Sequence, residues 1–405
     1  LIAAATTAAA QAPVPIHPIG PILASSTENV GQAVTVRATS DGHVIVGAGA
    51  RQRVYAFDST LKTFTVVADS GSGTGILPIR TTGVIAYLGD STLLPDYGAN
   101  ALLVLDATGK QIRSMAPPRA QDLMFLAIPA AFGRPGLDSK GRLIYRVQMP
   151  PNLRPAPTPS GDQKVAMTPM NPDSAPIVRG DFDTRRIDTV AWLKTPSQGR
   201  MGMEMRDNPA GGAPSITMHM LVNPFPMSDE WALLSDGTVA IVRAHDYHID
   251  WIDPDGTSRS TPKMPIDWRR YTDDERRQRV DSIKRVVDEQ LKRQMSQLPP
   301  GSPQIKMDVS VVPDSEFPQF WPPIQSGSVL ADLDGQLWIL PTTSTNAANG
   351  LTYDVVDRKG EVVERVQLPK DRVLAGFGPH HVLYMTRAEG KETFLERALL
   401  TGPPK

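Results

Sequence analysis

The sequence predicts an all-β chain of the six-bladed β-propeller class, closed by pairing of its N- and C-terminal strands, with one helical insertion between blades four and five. Three observations predict it. A cassette of turn, glycine and alternating strand recurs as Asp41–Val46, Thr82–Tyr87, Lys140–Tyr145, Asp236–Ile241 and Asp334–Ile339, with Pro379–Tyr384 as a degenerate sixth. Each is followed by a strand ending in an acidic residue, at Asp58, Asp106, Asp183, Asp253, Asp357 and Glu396. The interval from Gly42 to Asp58, from Gly237 to Asp253 and from His380 to Glu396 is the same 16 residues. Self-similarity at such a period marks an array of small sheets that bury their faces against one another.

The elements follow in order. Residues 1–19 read as a leader: Leu1–Gln11 is rich in Ala and Thr and resembles the end of an apolar export segment with an A-x-A cleavage site. This leads us to expect an exported protein, in a bacterial periplasm or at the cell surface. No other stretch approaches the ~20 apolar residues needed to cross a bilayer. The propeller spans 20–400, with blades expected at 30–67, 77–117, 125–194, 215–265, 318–369 and 370–400, the last completed by 20–29. Pairing of the two ends removes two open sheet edges. Asp106–Gly109, Asp253–Gly256 and Asp357–Gly360 suit tight turns, because Asp bonds the turn backbone and Gly accepts positive φ. Residues 149–176, rich in Pro, Ser and Thr, read as an extended loop within blade three, and 401–405 as a tail.

Residues 271–297 break the rhythm with a charged helix. Thr272 and Glu275 form a capping box, and Val280, Ile283, Val287 and Leu291 make a narrow apolar stripe. The bland reading is a helix with a solvated outer face. The sharper one is a docking surface carried by Arg276, Arg277, Arg285, Lys292 and Arg293, with Trp268 and Trp321 flanking the insertion as anchors. The other Trp residues on expected strands, Trp192, Trp251 and Trp338, read as core.

With these residues in view, the run Ser235–Arg243, the Trp251–Gly256 turn, Tyr55–Asp58 and the Gly71–Gly75 loop resemble secreted bacterial six-bladed β-propellers related to NHL and TolB-like repeats. The likeness covers nearly all of 20–400 and rests on structural turns. It implies an exported scaffold, often used for binding, and brings no active-site motif.

Composition narrows function further. A net charge of −1, from 42 basic and 43 acidic residues, gives no footprint for nucleic acid. The absence of cysteine excludes disulfides, thiolate catalysis and zinc-thiolate sites. Gly71–Gly75 is neither a phosphate loop, since no helix follows, nor a nucleophile elbow, since Gly73 takes the place of the central Ser. We assign no metal and no cofactor. The side chains nearest to a metal set are Asp246, His248 and Asp250, on one face if their segment is a strand, and Met201, Met203 and Met205, which suit a soft metal but equally one packed strand face. His380 and His381 are expected on opposite faces. The reading is therefore a non-catalytic interaction scaffold, an accessory subunit of a membrane-associated or envelope assembly with protein partners. The alternative is a lactonase-like hydrolase or lyase with a metal site at the centre of the propeller.

Overall fold

The computed structural model describes residues 14–32, 34–49, 52–69, 71, 76–79, 81–148, 168–169, 172–195, 199–206, 215–296, 305–345 and 348–400. The start of the leader, most of the 149–176 loop, residues 72–75 and the 401–405 tail lie outside them. Within the described residues the chain is a six-bladed β-propeller by its sheets. Blade one comprises Val34–Ala38, Val44–Ala48, Arg53–Phe57 and Phe64–Asp69; blade two, Ile85–Ala86, Thr92–Asp96, Ala101–Leu105 and Gln111–Met115. Blade three comprises Gly136–Leu137, Leu143–Arg146, Ser174–Gly180 and Ile187–Lys194; blade four, Glu230–Leu233, Val239–Arg243, His248–Ile252 and Ser258–Ser260. Blade five comprises Val329–Ala331, Leu337–Ile339, Thr352–Val356 and Val362–Gln367. Blade six takes Arg372–Gly378, Val382–Glu389 and Glu392–Leu399, and its outer strand is Ile22–Asn29. Closure by the two ends is thus observed, antiparallel, with Ile22 opposite Ala398 and Asn29 opposite Phe394.

The recurring turn has one physical basis. Asp58, Asp106, Asp138, Asp332 and Asp357 each accept, through Oδ1, the backbone N–H groups two and four residues ahead, at 2.8–3.2 Å. The residue three ahead must then turn left-handed. Glycine does so at Gly109, Gly141, Gly335 and Gly360, whereas blade one uses Leu61 at φ 58°, with its side chain buried.

Several boundaries move. In blade two, Ile85–Ala86 is the first strand and the turn is Gly89–Asp90, so Thr82-Gly83 is not that blade's hairpin turn. Ile16–Pro18 is a fifth strand of blade five, parallel to Val362–Gln367, so the sheets begin before residue 20. The Pro-rich insertion ends before 176, because Ser174–Gly180 is already a blade strand. Three short helical turns between Ala120 and Phe132 precede blade three and carried no periodicity long enough to announce them. Blade four starts at Glu230, not 215: Ser215–Val222 belongs to a seventh sheet that is not a blade.

Two compact units contain these elements. One holds the described residues of Leu1–Leu94, Val104–Arg113 and Ser328–Lys405; the other those of Pro95–Leu103 and Ser114–Gly327. In the first, Tyr55, Phe57, Leu61, Tyr384 and Leu395 form one core cluster and Trp338, Tyr353, Val366 and Leu383 another. In the second, Ile144, Ile177, Leu193, Trp231 and Ile241 pack together. Trp251 and Trp338 are fully buried as expected, but Trp192 is 49 % exposed, because it sits on the outer strand of blade three with one face uncovered.

Candidate functional site

Both interruptions of the blade pattern contribute to one module in the second unit. Its sheet orders as Thr168–Pro169, Gly199–Arg206, Ser215–Val222 and Ile305–Val311. The last two strands run parallel, from Ile216 opposite Ile305 to Val222 opposite Val311, and so join segments from either side of blade four. Register sets Met201 opposite Met220, Met203 opposite Met218 and Met218 opposite Met307. Alternation therefore puts Met201, Met218, Met220 and Met307 on one face of the sheet, while the side chains of Met203 and Met205 lie outside the described residues. On the other face His219 lies between two carboxylates, Nδ1 3.1 Å from Asp308 Oδ2 and Nε2 3.4 Å from Glu204 Oε2. The two ring nitrogens point to different acids, so the three groups do not converge on one point.

The helix, Asp273–Ser296, belongs to the same module. Its capping box is formed as read from sequence: Glu275 N–H donates to Thr272 Oγ1 at 3.2 Å and Thr272 N–H to Glu275 Oε2 at 3.0 Å. An aromatic clamp fixes its base. Tyr271 stacks on Trp321 with centroids 5.0 Å apart, the Arg269 guanidinium lies 4.5 Å over the other ring of that pair, Trp321, and Phe225 meets Tyr271 and Phe317 at 4.9 and 4.8 Å. Arg276 donates to Pro318 O and Arg279 to Pro224 O.

The expected docking residues therefore divide. Arg276 is half-buried and spent on anchoring, because its position lies on the flank that faces the clamp; it does not belong to an outer surface. Trp321 is the pin of the clamp. Arg277, Arg285, Lys292 and Arg293 are exposed, and Trp268 is 40 % exposed with its edge against Phe320. Val280, Ile283 and Val287 are half-buried, as the stripe requires.

The histidine–aspartate set is also divided. The strand begins at His248, and Tyr247 turns at φ 48°, so strand parity does not reach Asp246. Asp246 instead pairs with Lys263 at 3.1 Å. His248 and Asp250 stay together at 3.3 Å, but Asp250 already accepts from Arg243 at 2.7 Å. Arg243 reaches on to Asp229, which also accepts the N–H groups of Lys194 and Ala244. Among the described residues no group of three His, Asp or Glu side chains is placed to hold a metal ion.

Glu230, beside Asp229 at the start of blade four, is the group that sequence reasoning missed. It is 6 % exposed, its Oε2 accepts the Gly327 N–H at 2.9 Å, and burial pushes its carboxyl up to about 7 against the partial opposition of Arg146. The folded form thus holds the proton more tightly than the unfolded chain. The resulting stabilisation is complete below about pH 4.5 and is lost as pH rises through about 7, on the order of 3 kcal/mol. Chemical denaturation of Glu230→Gln at pH 5 and pH 8 is expected to show that this slope disappears; an unchanged slope would assign it elsewhere.

In the first unit a cleft of about 370 Å³ opens between the turns of blades five and six, floored by Phe377, Leu383 and Leu400. His380 and His381 stand at its rim in a turn, at φ 61° and 56°, so strand parity does not separate them, and His381 pairs with Asp334 at 3.4 Å. Asp332 is occupied by its own turn and by the Trp338 indole.

No family model matches the chain, and no curated protein matches it. Among solved structures it is similar to a gluconolactonase of Xanthomonas campestris, at 10 % identity over 95 % of this chain and 99 % of that one, TM-score 0.39. Others are a calcium-binding regucalcin of Agrobacterium tumefaciens (12 %, 96 % and 97 %, TM-score 0.38) and virginiamycin B lyase of Staphylococcus aureus (12 %, 91 % and 82 %, TM-score 0.36). Likeness at this level carries no chemistry across.

Proposed function

We propose that the protein is a non-catalytic binding scaffold whose docking element is the insertion module, working as an accessory subunit of an exported, membrane-associated assembly. One observation carries this reading. The helix Asp273–Ser296 is clamped at its base by Phe225, Tyr271, Phe317 and Trp321, while its outer side presents charged residues to solvent. A rigid base lowers the entropy lost on docking, which favours an interaction element over a passive strap. Reversing Arg277, Arg285, Lys292 and Arg293 to Glu touches no core contact and is expected to shift the melting midpoint by less than about 3 °C. Purified in mild detergent from its native membranes, the unaltered protein is expected in a stoichiometric complex and the reversed variant alone. Identical co-purification of both would end this assignment.

A second reading, a propeller hydrolase or lyase, is favoured by Glu230. A buried carboxyl with its proton poised near neutrality, facing the half-buried Arg146, has the character of a general acid or base. A hydrolysis screen on lactones and esters tests it: turnover that rises through pH 7 and vanishes in Glu230→Gln would support this reading over the scaffold.

A further inference from the structure

We infer that the docking partner of the helix is a second copy of this chain, seated antiparallel on the exposed face. The inference rests on the proposal that this helix is the interaction element, and it names the partner. At 100° per residue, Asp274, Gln278, Asp281, Arg285, Asp288 and Lys292 fall within about 40° of one line along the helix, with Arg277 and Glu289 at its margins. All eight are exposed, and this line lies on the side away from Val280, Ile283 and Val287. The face has no apolar residue, so whatever covers it is selected by charge.

Its charges are arranged as their own complement. A two-fold axis lying between the helices, level with Ile283, brings Asp274 opposite Lys292 of the second copy, Asp281 opposite Arg285, Arg277 opposite Asp288 on one margin and Gln278 opposite Glu289 on the other. Every ionised pair is of opposite sign, no like charges meet, and symmetry makes each pair occur twice. A parallel arrangement in register would set Asp274, Asp281, Arg285 and Lys292, near the centre line, each against its own copy and is repulsive there. The helix's own pairs, Arg277 with Asp274 and Arg293 with Glu289, leave their partners largely exposed, at 73 and 75 % and at 78 and 58 %. Asp274, Arg277 and Glu289 therefore remain open to a second ion pair. Exposed ion pairs are individually weak, so the dimer is concentration-dependent and sensitive to salt.

Sedimentation equilibrium of the full chain tests the inference. At low salt it is expected to approach twice the 43.9 kDa chain mass, with the dissociation constant rising about tenfold or more in 0.5 M NaCl. Arg285→Asp sets a carboxylate opposite Asp281 in both halves and should weaken association at least ~10-fold. The double variant Asp281→Arg with Arg285→Asp exchanges the signs, keeps the complementarity and should restore the dimer. A monomer under all conditions, or a double variant no better than the single one at equal thermal stability, overturns the inference. If the chain is monomeric while the helix-reversed variant still loses its co-purifying proteins, the second copy is excluded and the scaffold reading stands.

Discussion

Replacing Trp338 by Ala is expected to cost about 3–5 kcal/mol, a large part of the stability of an ordinary domain. Trp338 is fully buried on the second strand of blade five, packs at 5.1 Å against Phe377 and at 6.3 Å against Tyr353, and donates its indole N–H to Asp332 Oδ2 at 3.0 Å. Alanine there opens a cavity and also leaves a buried carboxylate oxygen without its donor. The two losses can be separated. Phenylalanine keeps most of the apolar volume, so Trp338→Phe should cost about 1–3 kcal/mol, the value of an unsatisfied buried acceptor. Urea denaturation of the three proteins reads both numbers. A cost below about 1 kcal/mol for Trp338→Ala would mean that the blade closes over the gap.

A chain starting at residue 30 is expected to lose on the order of 5 kcal/mol or more, or to fail to accumulate in soluble form. The outer strand of blade six then goes. With it go the pairing of Ile22–Asn29 to Glu392–Leu399, the Leu395 N–H to Ser26 Oγ bond at 2.9 Å and the Thr393 N–H to Asn29 Oδ1 bond at 3.1 Å. The exposed edge of Glu392–Leu399 becomes free to pair with other chains. A synthetic peptide of residues 14–30, supplied in trans, should recover solubility and the melting transition. Equal stability of full and shortened chains would show that the seal adds nothing.

The repeat was legible because each blade states its turn locally: an Asp whose carboxylate gathers two N–H groups, then a residue that turns left-handed. The capping box was legible for the same reason, since Thr272 and Glu275 are three residues apart. The seal of blade six could be inferred from what blade six lacked. The insertion module could not. Ser215–Val222 and Ile305–Val311 pair in parallel across an intervening blade and a helix, and neither strand carries a mark of its partner. Glu230 was hidden for a related reason: next to Asp229 in sequence it reads as a solvated acid, and only Gly327 and Arg146, brought from distant segments, reveal it as buried. In Arg276 the sequence showed a charge on a helix but not that its guanidinium would be spent on Pro318.

The seal of blade six also has a consequence in time. The bond from Thr393 to Asn29 spans 364 residues, so blade six waits for Glu392–Leu399 to leave the ribosome. At about 5–20 residues per second, that is roughly 20–70 s during which Ile22–Asn29 has been made and has no mate. Blades built from neighbouring segments can form as they emerge, but their common fastening comes last. Such an order favours late, cooperative folding of long contact order, and it makes a factor that shields the early strand during synthesis a benefit to this chain.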